Sequence, residues 1–374
     1  SRCIGPMSPS WAISDLALSP LMNRRTIELL TPTSLYDASR AEINNALAGE
    51  PSYRQKQVWT ALYEQFLLPE AITTLPKNLR EKFANTFPVA LELVTKSSAD
   101  NGDTVKFLWR LRNGGNLIET VLMFYTDRAT VCVSTQAGCA MGCTFCATGQ
   151  AGFNRQLTSG EILEQIARAS RYALDRDRRV SNVVYMGMGE PLANEPAVHE
   201  SVDRLHDDMG LSARHITIST VGIVPGIKQL KDWSLPVNLA ISLHAANDQL
   251  RDELVPINKR YPLKDLMTAC RDYLRVKNRR ISFEWAMIAG VNDTARDASE
   301  LAKLALSLKP TAHVNLIPLN PTGGFSGTAS PSGVQFQKIL RNAGFPCTFR
   351  QRRGIDVAAG CGMLKAEKRA RMGT

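Results

Sequence analysis

Three cysteines fall within eight residues near the middle of the chain. They follow the spacing C-x3-C-x2-C, at Cys139, Cys143 and Cys146, and glycines lie beside them at Gly138, Gly142 and Gly149. Spacing this short brings three thiolates together without help from distant chain. A structural zinc site would need a fourth nitrogen or sulfur ligand, and the nearest histidine, His199, belongs to a different predicted element. Three thiolates suit a [4Fe–4S] cluster in which one iron stays open to a further ligand.

The chain after this motif alternates predicted strands with predicted helices. Buried strands are predicted at 129–134, 182–186, 215–219, 237–243, 281–288 and 312–317, and helices at 197–207, 263–276, 294–308 and 333–342. A further helix opens at the capping box Thr158-Ser-Gly-Glu161. Such alternation predicts a parallel sheet with helices outside it. Six units are too few for a closed eight-unit barrel, so the predicted fold is α/β, a partial (β/α)6 barrel.

The residues before the barrel are organised differently. Helical periodicity predicts helices at 39–48, 53–67 and 77–87. Two alternating segments, 105–111 and 117–124, flank a glycine-rich turn and predict a β-hairpin. We therefore expect five segments: a disordered leader (1–34), a small helical accessory domain (35–95), a β-hairpin linker (96–128), the barrel (129–350) and a C-terminal cysteine loop with a basic tail (351–374).

The charge of the chain favours a polyanionic partner. Lys and Arg outnumber Asp and Glu by 45 to 35, a net charge of +10, and such an attraction would weaken with salt. A solvated basic surface would give the same total, but the basic residues cluster at 168–179, 275–280, 350–353 and 365–371. These clusters favour RNA binding.

Composition also bears on location. No apolar run reaches the roughly 18 residues that span a bilayer, and residues 1–15 lack the features of a secretory signal. Eight cysteines in 374 residues, three of them in one motif, favour a reducing compartment. We therefore expect a cytoplasmic protein that does not bind a membrane.

Short motifs follow the predicted barrel strands at the ends where barrel sites lie. Gly189 and Glu190 belong to the motif GMGEP after the second strand; the glycine permits close backbone approach and the carboxylate suits an ammonium group. Further polar residues end the third, fourth and sixth strands, at Ser219, Ser242-Leu243-His244 and Asn320. Taken alone, GMGEP is a weak signal, and a single histidine is more often a buried core residue than a ligand.

Together these motifs resemble the radical S-adenosylmethionine (SAM) RNA methyltransferases of the RlmN/Cfr family. The resemblance runs from about residue 35 to residue 361 and rests on CVSTQAGCAMGCTFCATGQAGFNR, MGMGEP, ISTVGIVP, ISLHAANDQLRDELVPIN, LIPLNP and RGIDVAAGCG. It implies a radical-SAM barrel whose accessory helices help to grip RNA. It also implies that Cys139, Cys143 and Cys146 hold a [4Fe–4S] cluster. SAM would contact Gly189, Glu190, Ser219, Ser242, Leu243, His244 and Asn320.

The resemblance gives roles to three more residues. Taken singly, Cys132 and Cys361 would more often be inert buried cysteines. The resemblance implies that Cys361 carries the methyl group, that Glu119 accepts a proton from the substrate carbon, and that Cys132 releases the product through a transient disulfide with Cys361. Glu119 lies thirteen residues before Cys132, a spacing the family shares. The remaining cysteines match no functional position: Cys3, Cys270 and Cys347.

The implied reaction is methylation of C2 of an adenosine in the peptidyl-transferase centre of 23S rRNA, and of the adenosine beside the tRNA anticodon. That carbon is electrophilic, so SAM cannot simply deliver CH3+ to it. The resemblance implies two SAM molecules per turnover, one that methylates Cys361 and one that yields a 5′-deoxyadenosyl radical. A flavodoxin or ferredoxin would donate the electron, and the protein is expected to be a monomer.

Three alternatives stay open at this point. Methylation of C8 of the same adenosine, as in Cfr, would use every motif above. A radical-SAM activase or maturase would have no use for Cys132 together with Cys361. A non-enzymatic, metal-clasped RNA-binding module would not consume SAM.

Overall fold

A computed structural model of the protein describes residues 34–308, 310 and 312–365. The predicted leader, apart from Ser34, and the basic tail after Lys365 lie outside the described residues. The helices are α1 Arg40–Ala46, α2 Tyr53–Tyr63, α3 Lys77–Thr86, α4 Ala147–Gln150, α5 Ser159–Leu174, α6 Glu195–Asp207, α7 Val224–Asp232, α8 Asp248–Leu254, α9 Leu263–Lys277, α10 Ala295–Ala305 and α11 Gly333–Asn342. The strands are β1 Leu91–Ala99, β2 Thr104–Leu111, β3 Leu117–Phe124, β4 Ala129–Cys132, β5 Gln136–Gly138, β6 Phe153–Gln156, β7 Val180–Tyr185, β8 Ile216–Thr220, β9 Asn238–Ser242, β10 Ile281–Met287, β11 Ala312–Pro318 and β12 Cys347–Phe349.

One large sheet organises the described chain. Its strand order is β1-β2-β3-β4-β7-β8-β9-β10-β11-β12, and β5 and β6 pair separately as a short ribbon. The strands pair antiparallel from β1 to β4 and parallel from β4 to β12. The six predicted barrel strands correspond to β4, β7, β8, β9, β10 and β11, and their parallel pairing confirms the α/β fold class. Sequence analysis missed β12, which adds a three-residue parallel strand beside β11.

The segment 96–128 does not form a separate linker. The predicted hairpin is present as β2 and β3, but β3 pairs with β4 and so joins the barrel sheet directly. On its other side β2 pairs with β1, which crosses the expected boundary between residues 95 and 96. Along β1 only the end residues Leu91 and Ala99 are buried. The strand therefore lacks the alternating apolar pattern that would have revealed it.

The three N-terminal helices share a hydrophobic core with the barrel instead of forming an isolated unit. Asp37 accepts hydrogen bonds from Gly160 N at 2.7 Å and from Thr158 Oγ1 at 3.0 Å, at the start of α5. Arg204 on α6 donates to the carbonyl oxygens of Tyr36 and Ala38. These contacts fix the accessory helices against α5 and α6.

Helix α5 links the accessory helices to the barrel. It begins at the predicted capping box, in which Thr158 accepts from the Glu161 amide and the Glu161 side chain accepts from the Thr158 amide. Its buried face packs under the sheet.

In the part of the chain that the structure describes, no helix combines the length and apolar character needed to span a bilayer.

Candidate active site

The carboxyl ends of the parallel strands surround a cavity of about 720 Å³. Eleven of the thirteen predicted site residues line it: Cys132, Cys139, Cys143, Cys146, Gly189, Glu190, Ser219, Ser242, His244, Asn320 and Cys361. Glu119 and Leu243 do not. A second depression of about 380 Å³ lies along α2, beside Tyr53 and Lys56, and contains no predicted site residue.

The cysteine motif forms the loop between β5 and α4. Gly138 has φ +81°, and a Cβ there would lie 2.0 Å from the carbonyl oxygen of Gly152, so this close crossing requires glycine. The crossing is fixed by a 2.8 Å hydrogen bond from Cys139 N to the same carbonyl. The loop then turns so that Cys143 and Cys146 face the cavity with Cys139.

The surroundings disfavour ionisation of two of the three thiols, Cys139 and Cys143. Burial raises the pKa of Cys139 to about 12. Burial, followed by the charges of Cys146 and Cys139, raises the pKa of Cys143 well above its ordinary value. Thiolates grouped in this way need a bound positive centre to be stable.

These thiols fit an iron–sulfur cluster. Among residues 34–308, 310 and 312–365, no three His, Cys, Asp or Glu side chains come close enough together to hold a single metal ion. A [4Fe–4S] cluster binds each cysteine through a different iron. Three thiols that line one cavity on a short, glycine-rich loop therefore suit a cluster.

Glu190 lies at the carboxyl end of β7 with only 2% of its surface exposed. Its carboxylate accepts from Val221 N at 2.9 Å and Leu192 N at 3.0 Å. Burial raises its pKa to about 7, and these hydrogen bonds act in the opposite direction. The preceding Gly189 has φ +103°, and a Cβ there would lie 2.6 Å from the Cβ of Gln136. The chain therefore presents a buried carboxylate beside a backbone that only glycine permits, a suitable arrangement for an ammonium group.

His244 is held in one protonation state. Its Nδ1 accepts a 3.0 Å hydrogen bond from Ala286 N, so the neutral ring carries its proton on Nε2. Burial lowers its pKa to about 3. The ring packs edge-on against Phe145, with 4.6 Å between ring centres. His244 therefore contributes a neutral hydrogen-bond donor to the cavity wall.

Leu243 points away from the cavity. Its side chain is fully buried, its amide donates to Glu284 O at 3.0 Å, and its carbonyl accepts from Arg251 Nε at 3.1 Å. Arg251 also donates to Val221 O at 2.6 Å. From this position the Leu243 side chain does not reach the cavity in which SAM is predicted to bind.

Cys132 and Cys361 face the same cavity although they are 229 positions apart. Both are free thiols in this structure. Burial, and then the charge of Cys361, raises the pKa of Cys132 to about 12. The Cys361 residue is exposed at the cavity surface, but the surrounding protein desolvates its thiol and raises the pKa to about 11. The positive charge of Arg350 opposes the shifts of both thiols. The Cys361 sulfur is thus close enough to Cys132 to affect the ionisation of the Cys132 thiol.

The loop that carries Cys361 rests on the cysteine-motif loop. Gly362 O accepts from Ala147 N at 2.8 Å, and Leu364 O accepts from Thr148 Oγ1 at 2.6 Å. Asn320 Nδ2 donates to Cys361 O at 3.0 Å, while Asn320 Oδ1 is buried without a hydrogen-bond partner in the described structure. Asn320 therefore joins the Cys361 loop to the cavity wall and leaves one acceptor for a ligand.

Glu119 lies on β3, behind the C-terminal segment. It is 1% exposed, its Oε1 lies 2.5 Å from Lys106 Nζ, and its Oε2 accepts from Lys365 N at 3.0 Å. Leu364, the neighbour of Lys365, lines the cavity. The structure thus places Glu119 next to the site but does not bring it to the cavity surface.

A polar group on β10–β12 was missed from the sequence. Glu284 is 3% exposed and lines the cavity; it accepts from Asn315 Nδ2 at 2.8 Å, and its other oxygen lies 3.0 Å from an Nη of Arg350. The sequence feature that could have indicated this group is the carboxylate of Glu284 within the otherwise apolar run 281–288. Arg350 was grouped with phosphate-binding arginines, but here it neutralises a buried carboxylate.

Comparisons with known proteins agree with this geometry. Residues 133–305 match the model of the Radical SAM superfamily. The chain is 48% identical over 351 residues to dual-specificity RNA methyltransferase RlmN 1 of Myxococcus xanthus, covering 91% of this chain and 97% of that protein. It is 46% identical to a probable dual-specificity RNA methyltransferase RlmN of Chloroflexus aurantiacus, covering 88% and 92%. The crystal structure of a radical SAM methyltransferase from Sphaerobacter thermophilus matches with a TM-score of 0.85 and 46% identity, covering 90% of this chain and all of that one.

Proposed function

Because the chain belongs to the RlmN family of dual-specificity RNA methyltransferases, within the radical SAM superfamily, we propose that it methylates C2 of adenosine in two RNAs. These are the peptidyl-transferase centre of 23S rRNA and the tRNA position beside the anticodon. The observation that carries the proposal is the convergence of five cysteines on one cavity: Cys132, Cys139, Cys143, Cys146 and Cys361.

Two groups would occupy the cavity. Cys139, Cys143 and Cys146 would hold the [4Fe–4S] cluster, with a flavodoxin or ferredoxin as its electron donor. SAM would lie against Gly189, Glu190, Ser219, Ser242, His244 and Asn320. The buried Glu190 carboxylate would take the SAM ammonium, since an opposite charge offsets the cost of its burial. When bound, these groups supply the radical that activates a methyl carbon.

Cys361 is the methyl carrier in this proposal. Its thiol must lose a proton before it can take the methyl group from a first SAM molecule, which would leave as S-adenosylhomocysteine, because the thiolate is the nucleophile. The nearby Arg350 guanidinium favours the thiolate, and burial disfavours it. The carrier loop is held close to the cysteine motif through Gly362 and Leu364. The bound cluster and a second SAM would supply the removal of a hydrogen atom from the carried methyl group, and the cluster would take up the electron released when the methylene carbon on Cys361 bonds to the adenine carbon.

Glu119 accepts the proton that leaves that carbon. Its two oxygens now contact Lys106 Nζ and Lys365 N. For Glu119 to reach the base, the segment that contains Leu364 and Lys365 has to move. Adenine entry and release of Glu119 would then be one event.

Cys132 ends the reaction. Its thiolate attacks the Cys361 sulfur, an S–S bond forms as the bond from that sulfur to the methylene carbon breaks, and the carbon takes a proton to become the methyl group. The disulfide between Cys132 and Cys361 must then be reduced by an external thiol. We propose that the protein acts as a monomer, in which one chain supplies every group named here.

Mass spectrometry of nucleosides tests the assignment. Anaerobically reconstituted protein would be incubated with 23S rRNA fragments and tRNA transcripts, SAM and a reduced flavodoxin. We expect 2-methyladenosine in both RNAs, and none when the target adenosine is replaced by guanosine. Detection of 8-methyladenosine would assign C8 instead, and absence of methyladenosine in both RNAs would contradict the proposed function.

A further inference from the structure

Two arginine side chains stack on one aromatic ring, that of Tyr125, at the mouth of the cavity. Tyr125 lies in the turn between β3 and β4; the guanidinium carbon of Arg128 lies 4.2 Å from its ring centre, and that of Arg353 lies 4.4 Å from it. All three residues line the cavity, and the chemistry proposed above uses none of them. The Arg128 side chain is 45% exposed. The group therefore belongs to the rim of the cavity and not to its floor.

The turn that carries this ring is held on two sides. Phe124 O accepts a 2.8 Å hydrogen bond from Arg353 Nη1, and Tyr125 N donates to Arg128 O at 2.8 Å. Arg178 donates to Tyr125 O, and its guanidinium carbon lies 5.5 Å from the ring centre of Phe124. The two rim arginines are thus ordered before any ligand binds, which lowers the entropic cost of binding one.

Both rim arginines keep hydrogen-bond donors for a ligand. A guanidinium carries five N–H groups at its edge, and stacking on a ring uses its face. Arg128 has an exposed ion pair with Asp127 at 3.2 Å, a type of contact that contributes little. Arg353 has no carboxylate partner in the described part of the chain. Arg350, by contrast, is paired with Glu284.

The position of the group indicates what it would bind. A base that reacts at Cys361 cannot stay stacked in a duplex, so its nucleotide must turn into the cavity. The phosphates on either side of that nucleotide then remain at the mouth. A guanidinium edge matches a phosphate through two parallel hydrogen bonds.

We propose that Tyr125, Arg128 and Arg353 form a clamp for the RNA phosphates that flank the adenosine inserted into the cavity. The two arginines contact phosphate, and Tyr125 is a positioning residue that holds them in place. This inference rests on the proposed function, because the strand at the mouth is taken to be the RNA that is methylated.

The salt dependence of RNA binding tests the clamp. The dissociation constant of a short single-stranded RNA that contains the target adenosine would be measured from 0.05 to 0.5 M KCl. For single strands, each lost phosphate contact lowers the log–log slope by about 0.7 and weakens binding about fourfold at 0.15 M salt. We expect that change for R128Q and for R353Q, and about fourteenfold weaker binding for the double variant.

Two comparisons separate the clamp from a general charge effect. Arg214 is exposed and lies two residues before β8, at the edge of the sheet opposite the cavity. We expect R214Q, which removes the same charge, to keep the wild-type slope. Y125F keeps the ring and should bind like wild type, whereas Y125L keeps the net charge but should bind at least threefold more weakly.

Each outcome decides a point. Wild-type slopes in R128Q and R353Q, or an equal loss in R214Q, would overturn the clamp, provided that all variants still cleave SAM without RNA. Equal binding by Y125L and Y125F would overturn the positioning role of the ring. A clamp pattern in the binding data from a wild-type protein that methylates no RNA would support the clamp and contradict the proposed function.

Discussion

Glu164 gives the fold a pH dependence that can be measured. It lies on α5, is fully buried, and accepts hydrogen bonds from Ala90 N at 2.7 Å and Leu91 N at 3.3 Å, where the chain passes from the accessory helices into β1. Arg168 lies 3.7 Å away. Burial raises the Glu164 pKa from 4.5 to about 7, and the two amides and Arg168 offset part of the shift.

The sign of the effect follows from the two states. The folded protein keeps a proton on Glu164 up to about pH 7, whereas the unfolded chain releases it near pH 4.5. Stability therefore falls as pH rises through that window. This difference in pKa between the folded and unfolded states corresponds to about 3 kcal/mol in all, of which about 2 kcal/mol lies between pH 5.5 and pH 8.

Urea unfolding at pH 5.5 and pH 8 measures this contribution. Glutamine cannot titrate, so the difference in unfolding free energy between wild type and E164Q should change by about 2 kcal/mol between the two pH values, in favour of E164Q at pH 8. If E164Q loses as much stability as wild type over this range, Glu164 does not carry the shift.

Three further outcomes are expected at the site. C143S should fold but lose bound iron and produce no 5′-deoxyadenosine, and SAM cleavage by this variant would refute the cluster assignment. G189A should weaken SAM binding at least tenfold by calorimetry, because its Cβ would collide with Gln136. G210A, which also has a positive φ but has open space around it, should bind normally. N320A should slow methylation of the Cys361 peptide about fivefold, the equivalent of one hydrogen bond, and an unchanged rate in mass spectrometry would exclude that role.

Local patterns in the sequence predicted the barrel strands and most of the residues that line its cavity. The six barrel strands are buried apolar runs. Their parallel packing brings their carboxyl ends together independently of the conformation of the connecting loops. The residues at those ends, such as Glu190 and His244, therefore reach the cavity. The cysteine motif needed only short spacing to be recognised.

Contacts between distant residues could not be predicted in this way. Arg353 stacks on Tyr125, which lies 228 positions earlier in the chain. Lys365 donates a backbone hydrogen bond to Glu119, which lies 246 positions earlier. Both depend on the path of the C-terminal segment, which no local periodicity encodes. The pairing of Arg350 with Glu284 likewise needs β12 beside β11, a contact made by a three-residue strand.

The accessory helices show a similar limit. Their helical periodicity was correct, but nothing in it indicated that Asp37 would cap α5 or that Tyr36 would join the barrel core. As a consequence, deletion of residues 34–90 would expose residues of the barrel core. Point variants at the surface are the cleaner test of RNA binding.

Trapping of the RNA intermediate tests the central claim most directly. In the proposed sequence Cys361 is joined to the RNA base before product exists, and only Cys132 can break that link. Purified C132A should therefore carry RNA that survives denaturation, and after nuclease digestion a nucleotide should remain on the peptide that contains Cys361. The double variant with C361A should carry none. Normal turnover by C132A, or an adduct on another residue, would contradict the methyl-carrier account.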